Sequence, residues 1–315
     1  MGRHTFSLKN LIILIFVLST FFSNAQQDPL YSQYIFNKQV INPAYAGTWE
    51  SVGFSVLARQ HYEDYDESPQ TFNVSMQAPL SNNKIGVGLN VIHEKIGFEK
   101  RFCAFGDYSY LTKISRTTNL RFGIKAGFTN YSSYSNAYLL KSEDLEPVYG
   151  DNIKESMINV GAGAFLYSDK YYVGFSVPKI LNNQFDENNS GFLMEREHQH
   201  YYLMSGLVIN LGRNLKFKPA TLAKATFTSE NGTPAEIDIT ANFLIRDKLW
   251  LGAMYRTTDA FGFMAQWIIT GNLRLGYVHD FMATNLDNHY HGSHEVMVSY
   301  ELASLRNTFG TPRYF

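Results

Sequence analysis

A single cysteine, Cys103, is the whole thiol complement of the chain, which excludes an intramolecular disulfide and any two-cysteine metal site. Charge is scarce as well. Asp, Glu, Lys and Arg make up 17% of residues, against about a quarter in ordinary soluble domains. The 27 basic and 28 acidic side chains nearly cancel, which removes the general electrostatic reason to expect a nucleic-acid partner. From Val52 onward no apolar run is long enough for a bilayer helix, which speaks against a helical membrane protein. The motifs of common chemistry are missing too: there is no Gly-rich phosphate loop, His-Glu-x-x-His, calcium loop or Gly-x-Ser-x-Gly elbow. No cofactor is expected, and the chain reads as a non-enzyme.

What is present is apolar and aromatic. Over 315 residues, 45% are hydrophobic and 15% are Phe, Trp or Tyr, which excludes a disordered or coiled-coil chain. Residues 1–25 have a basic tip (Arg3, Lys9), an apolar run from Leu11 to Phe22 and a small-residue ending at Ser23 and Ala25. This is the pattern of a secretory signal peptide cut at Ala25-Gln26. Its removal leaves 25 basic against 28 acidic residues, a formal charge of −3. An exported chain with one thiol must be stabilised by something other than disulfides.

That something is a period of two. Leu120, Phe122, Ile124, Ala126 and Phe128 alternate with Arg121, Gly123, Lys125 and Gly127. Ile85, Val87, Leu89 and Val91 alternate with Lys84, Gly86, Gly88 and Asn90, and Leu273, Leu275, Tyr277 and Phe281 repeat the pattern with His279 as an exception. Fourteen such segments of about ten residues, the length of a strand crossing a bilayer, start near Val52, Gln70, Lys84, Arg101, Thr118, Ser156, Lys170, Gln199, Lys216, Ala235, Lys248, Phe261, Asn272 and His294. The one near Lys216 is the least regular, with Pro219 inside it.

Connectors fall into two classes. Short ones, such as Ser168-Asp169, Arg246-Asp247 and Thr270-Gly271, alternate with long polar ones, such as Tyr131 to Glu155, Lys179 to His198 and Ala283 to Ser293. Short turns on the periplasmic side and long loops outside are the habit of outer-membrane barrels. Alternation alone is equally compatible with a soluble sandwich, whose apolar rows meet in the middle. Low charge, the number of segments and aromatics near strand ends favour the membrane polarity. Tyr108, Tyr110, Tyr131, Tyr171, Tyr172, Tyr201, Tyr202, Trp250, Tyr255 and Trp267 are the candidate girdle residues. The expected fold is an all-β transmembrane antiparallel β-barrel of about 14 strands, outer-membrane type, roughly 28 Å across.

The expected organisation is a signal peptide over 1–25, a periplasmic leader or lumen-packing segment over 26–51, the barrel over 52–302 and a periplasmic C-terminal tail over 303–315. Both termini are then periplasmic. The leader is aromatic, amide-rich and punctuated by Pro and Gly, so it either covers the barrel mouth or binds a partner. In the tail, Pro312, Arg313, Tyr314 and Phe315 form a second contact candidate. Two clusters have metal-like spacing, His289, His291 and His294 beside Asp287 and Glu295, and Glu195, Glu197, His198 and His200, but no motif fixes their geometry and no metal is assigned.

Gln27-Asp28-Pro29-Leu30-Tyr31-Ser32-Gln33-Tyr34, with Asn42-Pro43-Ala44-Tyr45-Ala46-Gly47, the repeated strands and the Pro312-Arg313-Tyr314-Phe315 ending, resembles the PorP/SprF family of outer-membrane proteins associated with type IX secretion in Bacteroidota, including its gliding-motility branch. The signature positions matched are Pro29, Tyr31, Gln33, Tyr34, Asn42, Pro43, Ala44 and Gly47. The resemblance implies a non-enzymatic accessory that helps export, retain or anchor surface proteins such as gliding adhesins. Its implied partners are outer-membrane lipid, type IX translocon or periplasmic ring components, and a secreted surface protein with a C-terminal sorting domain. A channel or transporter for a small solute is the alternative. The leader and the long loops are the expected docking surfaces.

Overall fold

The computed structural model describes residues 32–63, 68–81, 83–133, 153–186, 193–196, 199–226, 235–257, 260–282 and 291–302. Among the described residues seventeen strands follow a short leader. They are β1 (Gly53–Glu63), β2 (Gln70–Leu80), β3 (Ile85–Ile96), β4 (Glu99–Lys113), β5 (Asn119–Ser133), β6 (Ile153–Tyr167), β7 (Tyr171–Val177), β8 (Gln184–Asp186), β9 (Leu193–Arg196), β10 (His200–Leu207), β11 (Ile209–Asn210), β12 (Leu215–Thr226), β13 (Glu236–Ile245), β14 (Leu249–Arg256), β15 (Ala260–Ile268), β16 (Leu273–Met282) and β17 (His291–Glu301). Fourteen of them form one closed antiparallel ring: each pairs with its sequence neighbour, β7 with β10, β10 with β12, and β1 with β17. The strands β8 and β9 pair only with each other, and β11 extends β10 along β12. Closure leaves no edge, so backbone donors and acceptors are satisfied without water.

The barrel expectation is met strand for strand, with starts displaced by at most three residues. The largest displacements are at β6 and β17, whose first residues sit in polar sequence that carries no alternation. The irregular segment near Lys216 is a full wall strand. Pro219 pairs with Ala241 on one side, and on the other it lies where the β10–β11 pairing is interrupted at Val208. A residue without an N–H is tolerated at a break in the ladder.

Polarity is decided by burial. Along β13, Ile237, Ile239 and Phe243 are 36%, 52% and 40% exposed, while Asp238, Thr240 and Asn242 between them are 0%, 1% and 0%. A sandwich would bury the first row and expose the second. The oily rows face outward all round the ring, as a lipid-facing wall requires. Six of the ten girdle candidates are compatible with that wall; Tyr108, Tyr110, Tyr255 and Trp267 are well exposed on it. Four are not. Tyr131, Tyr172, Tyr202 and Trp250 are buried, because they fall on the inward phase of their strands and fill the interior.

One mouth carries only short turns, at 81–84, 114–118, 168–170, 211–214, 246–248 and 269–272. The other carries the long connectors, together with the tight turn at Gly97 and the short connector between Arg256 and Ala260.

Candidate functional site: the filled lumen

The interior holds the leader. From Ser32 to Trp49 it forms three short 3-10 turns, Ser32–Ile35, Lys38–Val40 and Pro43–Tyr45, and nearly every residue of it is buried. Asn37, Asn42, Pro43 and Gly47 interrupt this segment before a regular helix can run. Its turns instead leave amides and carbonyls that the inward polar rows of the strands satisfy.

At the Ser32 end the free groups are N–H donors, and the wall supplies a carboxylate. Glu295 accepts from the backbone N–H of Ser32 at 3.0 Å and of Gln33 at 2.8 Å. Arg59 donates to Ser32 Oγ at 2.7 Å and pairs with both Asp280 and Glu295 at 2.9 Å. The neighbouring Arg256 is held by Asp238 at 2.9 Å and Glu236 at 3.2 Å. These side chains lie toward the long-connector ends of β1, β16 and β17.

At the Gly47 end the free groups are carbonyls, and the wall supplies a guanidinium. Arg121 donates to Gly47 O at 2.8 Å, to Asn83 O at 2.7 Å and to Ser109 Oγ at 3.0 Å, while Ser109 Oγ donates to Ala46 O at 2.6 Å. Asn83 belongs to a short turn. The leader therefore runs through the lumen, from the long-connector half at Ser32 to the short-turn mouth where β1 begins.

Between these ends most ties run through side-chain amides and hydroxyls. Asn37 Nδ2 donates to Ser75 Oγ, Gln39 Nε2 to Met76 O and Asp107, and Ser176 Oγ to Ile41 O. Asn42 Oδ1 accepts from Ala44 N–H at 2.9 Å, capping the turn that Pro43 opens, and its Nδ2 reaches Ala164 O at 3.1 Å. Apolar leader residues Tyr34, Ile35, Ile41, Ala44, Tyr45 and Trp49 form one core with wall residues that include Phe165, Tyr172, Tyr202, Met204 and Met254. Lys38 sits over the rings of Tyr45 and Tyr172, its Nζ donating to Ile35 O at 2.6 Å.

Close approach explains two wall glycines. A Cβ on Gly123 would overlap the Ala44 backbone, and one on Gly86 would overlap the Ala46 carbonyl. Gly47, with φ +72°, itself packs against Gly86.

Of the signature positions, Gln33, Tyr34, Asn42, Pro43, Ala44 and Gly47 are brought together in this packing, and all six are buried. Pro29 and Tyr31 lie outside the described residues, as do Pro312, Arg313, Tyr314 and Phe315. Their wall partners Arg59, Asp280, Arg121 and Gly123 belong to no motif, and Glu295 stands out in the sequence only as a neighbour of the histidines. The signal they do carry is a charge or a glycine in the polar row of an otherwise apolar strand. One cavity among the described residues lies between Val40 and Ile41 of the leader and Ile92, Arg101, Lys125 and His200 of the wall.

The histidine spacings do not gather as written. His289 and His198 lie outside the described residues, His200 faces inward and bonds Thr226 at 2.7 Å, and His294 stands opposite His279 on the outer wall. Among the described residues no group of three or more His, Cys, Asp or Glu side chains is placed to hold a metal.

A family model described as "Type IX secretion system membrane protein PorP/SprF" matches residues 23–300. No curated protein matches the chain. Among solved structures, it is similar to the Acinetobacter baumannii outer membrane protein Omp33 (11% identity, 79% of this chain and 97% of that one, TM-score 0.45). A Pseudomonas aeruginosa FadL homologue (11% identity, 88% and 95%, TM-score 0.47) and the Ralstonia pickettii toluene transporter TbuX (9% identity, 85% and 92%, TM-score 0.47) are comparable.

Proposed function

The chain belongs to the PorP/SprF family of type IX secretion system membrane proteins, and from that premise we propose that it is a non-enzymatic outer-membrane accessory that assists export, retention or anchoring of secreted surface proteins. The observation that carries this reading is the filled lumen: the leader from Ser32 to Trp49 occupies it and is tied to the wall along its whole length. A barrel packed in this way works through its surface, since the leader and the wall side chains take up the interior together. The buried leader residues have their contacts inside, so the long connectors are the surface that meets a partner. In this reading the short-turn mouth faces the periplasm and the long connectors face outward. The partners are a translocon or periplasmic ring component and a secreted protein with a C-terminal sorting domain.

Isolation from native outer membrane in mild detergent tests the reading. Copurification of a translocon or ring component, or of a secreted surface protein, is expected. Recovery of none of these, combined with steady conductance of the intact protein in a planar bilayer, would replace the accessory role by that of a solute channel.

A further inference from the structure

The alternation that turns oily residues outward also sorts the charges of the wall. Among the described residues of the ring strands, Asp, Glu, Lys and Arg take the inward phase with three exceptions, Lys95, Lys100 and Lys154. These three share one row. The ladder sets Gln70 beside Lys95, Lys95 beside Lys100, Lys100 beside Ser132 and Ser132 beside Lys154, so the row crosses β2 to β6 at the long-connector end. All three lysines are exposed, and Lys95 and Lys100 are direct cross-strand partners. Neighbouring strands lie about 4.8 Å apart, so Lys154 stands about 10 Å from Lys100, a span that two flexible lysine stems can close on one group.

The rows beneath change character in order. The next one toward the short-turn mouth is Phe72, His93, Phe102, Asn130 and Ser156, where Asn130 Nδ2 donates to Ser156 Oγ at 2.8 Å on the exposed face. The one after it is Val74, Val91, Ala104, Phe128 and Ile158, which is wholly apolar. This arc therefore presents cations, then hydrogen-bonding groups, then hydrocarbon. Across the ring the same rim is aromatic: Tyr255 pairs with Phe261 and Phe261 with Phe281, the last two stacked at 5.1 Å. Like charges directly opposite one another repel, and an anion set between them removes that repulsion. A lysine in a lipid-facing row is tolerated near the interface, where its ammonium reaches headgroup level. The ammonium is a point-charge partner for phosphate.

We infer that Lys95, Lys100 and Lys154 bind the phosphate of a sugar-bearing lipid headgroup, of the lipid A type, in the outer leaflet. Ser132, Asn130 and Ser156 meet the sugar hydroxyls, and the acyl chains lie over Ala104 and Phe128. The choice of leaflet rests on the outward orientation of the long connectors in the proposed function; the contact itself needs no translocon.

The full mature protein in non-ionic detergent is titrated with diphosphoryl lipid A and with the same lipid stripped of its phosphates, and bound lipid is counted by native mass spectrometry. A one-to-one adduct with lipid A is expected, with at least tenfold weaker binding of the dephosphorylated lipid. Lys95→Gln/Lys100→Gln/Lys154→Gln should lose that preference, and Lys216→Gln at the short-turn rim should keep it. Equal binding of the two lipids by the unaltered protein overturns the site without recourse to any variant. So does an unchanged preference in the triple variant, or its loss in Lys216→Gln. Stronger binding of phosphatidylglycerol would place the row in the other leaflet, and displacement of lipid A by an equal concentration of inorganic phosphate would reduce it to a simple anion site; either overturns the headgroup assignment. Purified protein and lipid suffice for these measurements, so their outcome is separate from copurification of a secretion partner.

Discussion

The two ends of the leader are bound by opposite chemistry. At Ser32 and Gln33 a buried carboxylate, Glu295, receives two backbone N–H groups, while at Ala46 and Gly47 the Arg121 guanidinium and the Ser109 hydroxyl give hydrogen bonds to carbonyls. The difference follows the direction of the chain, because a run of turns begins with unsatisfied N–H groups and ends with unsatisfied C=O groups. It also separates two kinds of dependence. Glu295 is part of a charged cluster with Arg59 and Asp280, so its removal takes one of two carboxylates from a buried guanidinium and the acceptor from two backbone N–H groups. Arg121 instead donates to the neutral oxygens of Gly47, Asn83 and Ser109, so its loss leaves none of these three with an unbalanced charge.

Removing the leader altogether gives the largest effect. Deletion of Gln26 to Ser51 should turn a poorly conducting barrel into one with a clear unitary conductance in planar bilayers; a current no larger than that of the full chain would mean that the wall collapses or that other residues fill the space. Among single changes Glu295→Ala comes first. It leaves Arg59 with Asp280 alone and two buried backbone N–H groups without an acceptor, and should cost about 3–5 kcal/mol, read as a fall in the urea midpoint of the detergent-solubilised protein. Arg121→Ala loses charge-assisted bonds but no countercharge, and about 1.5–3 kcal/mol is expected. Should Arg121→Ala prove the more damaging, the contrast between the two ends is wrong.

Gly123→Val tests packing in place of charge. Pushed against Ala44, it should cost about 1–3 kcal/mol and raise protease sensitivity of the leader while leaving the barrel protected. Asn42→Ala, which removes a turn cap, should cost about 1 kcal/mol. The smallest effect is predicted for the rim pair Lys216–Asp247, which is partly exposed; its loss should change stability by less than about 1 kcal/mol.

Much of the wall was legible because its physics is local. A strand that faces lipid on one side and a polar interior on the other writes that contrast into every second residue, as Phe122, Ile124 and Phe128 against Arg121 and Lys125 illustrate. Even the Pro219 strand kept its phase. The girdle was less legible. Tyr131, Tyr172, Tyr202 and Trp250 have the composition expected of a membrane interface, but their phase along the strand directs them inward. The leader stood out as a pattern, and its place did not, because amides and small residues serve a mouth cover, a docking segment and an internal plug equally well.

The order and number of strands and the alternation of short and long connectors follow from the sequence by itself, since hydrophobic period and turn length are properties of neighbours along the chain. The filling of that ring was decided only in three dimensions. Glu295 lies 262 residues from Gln33, and Arg121 lies 74 from Gly47. Such partners carry no mark of each other, and they meet because a closed barrel brings every inward row to one axis.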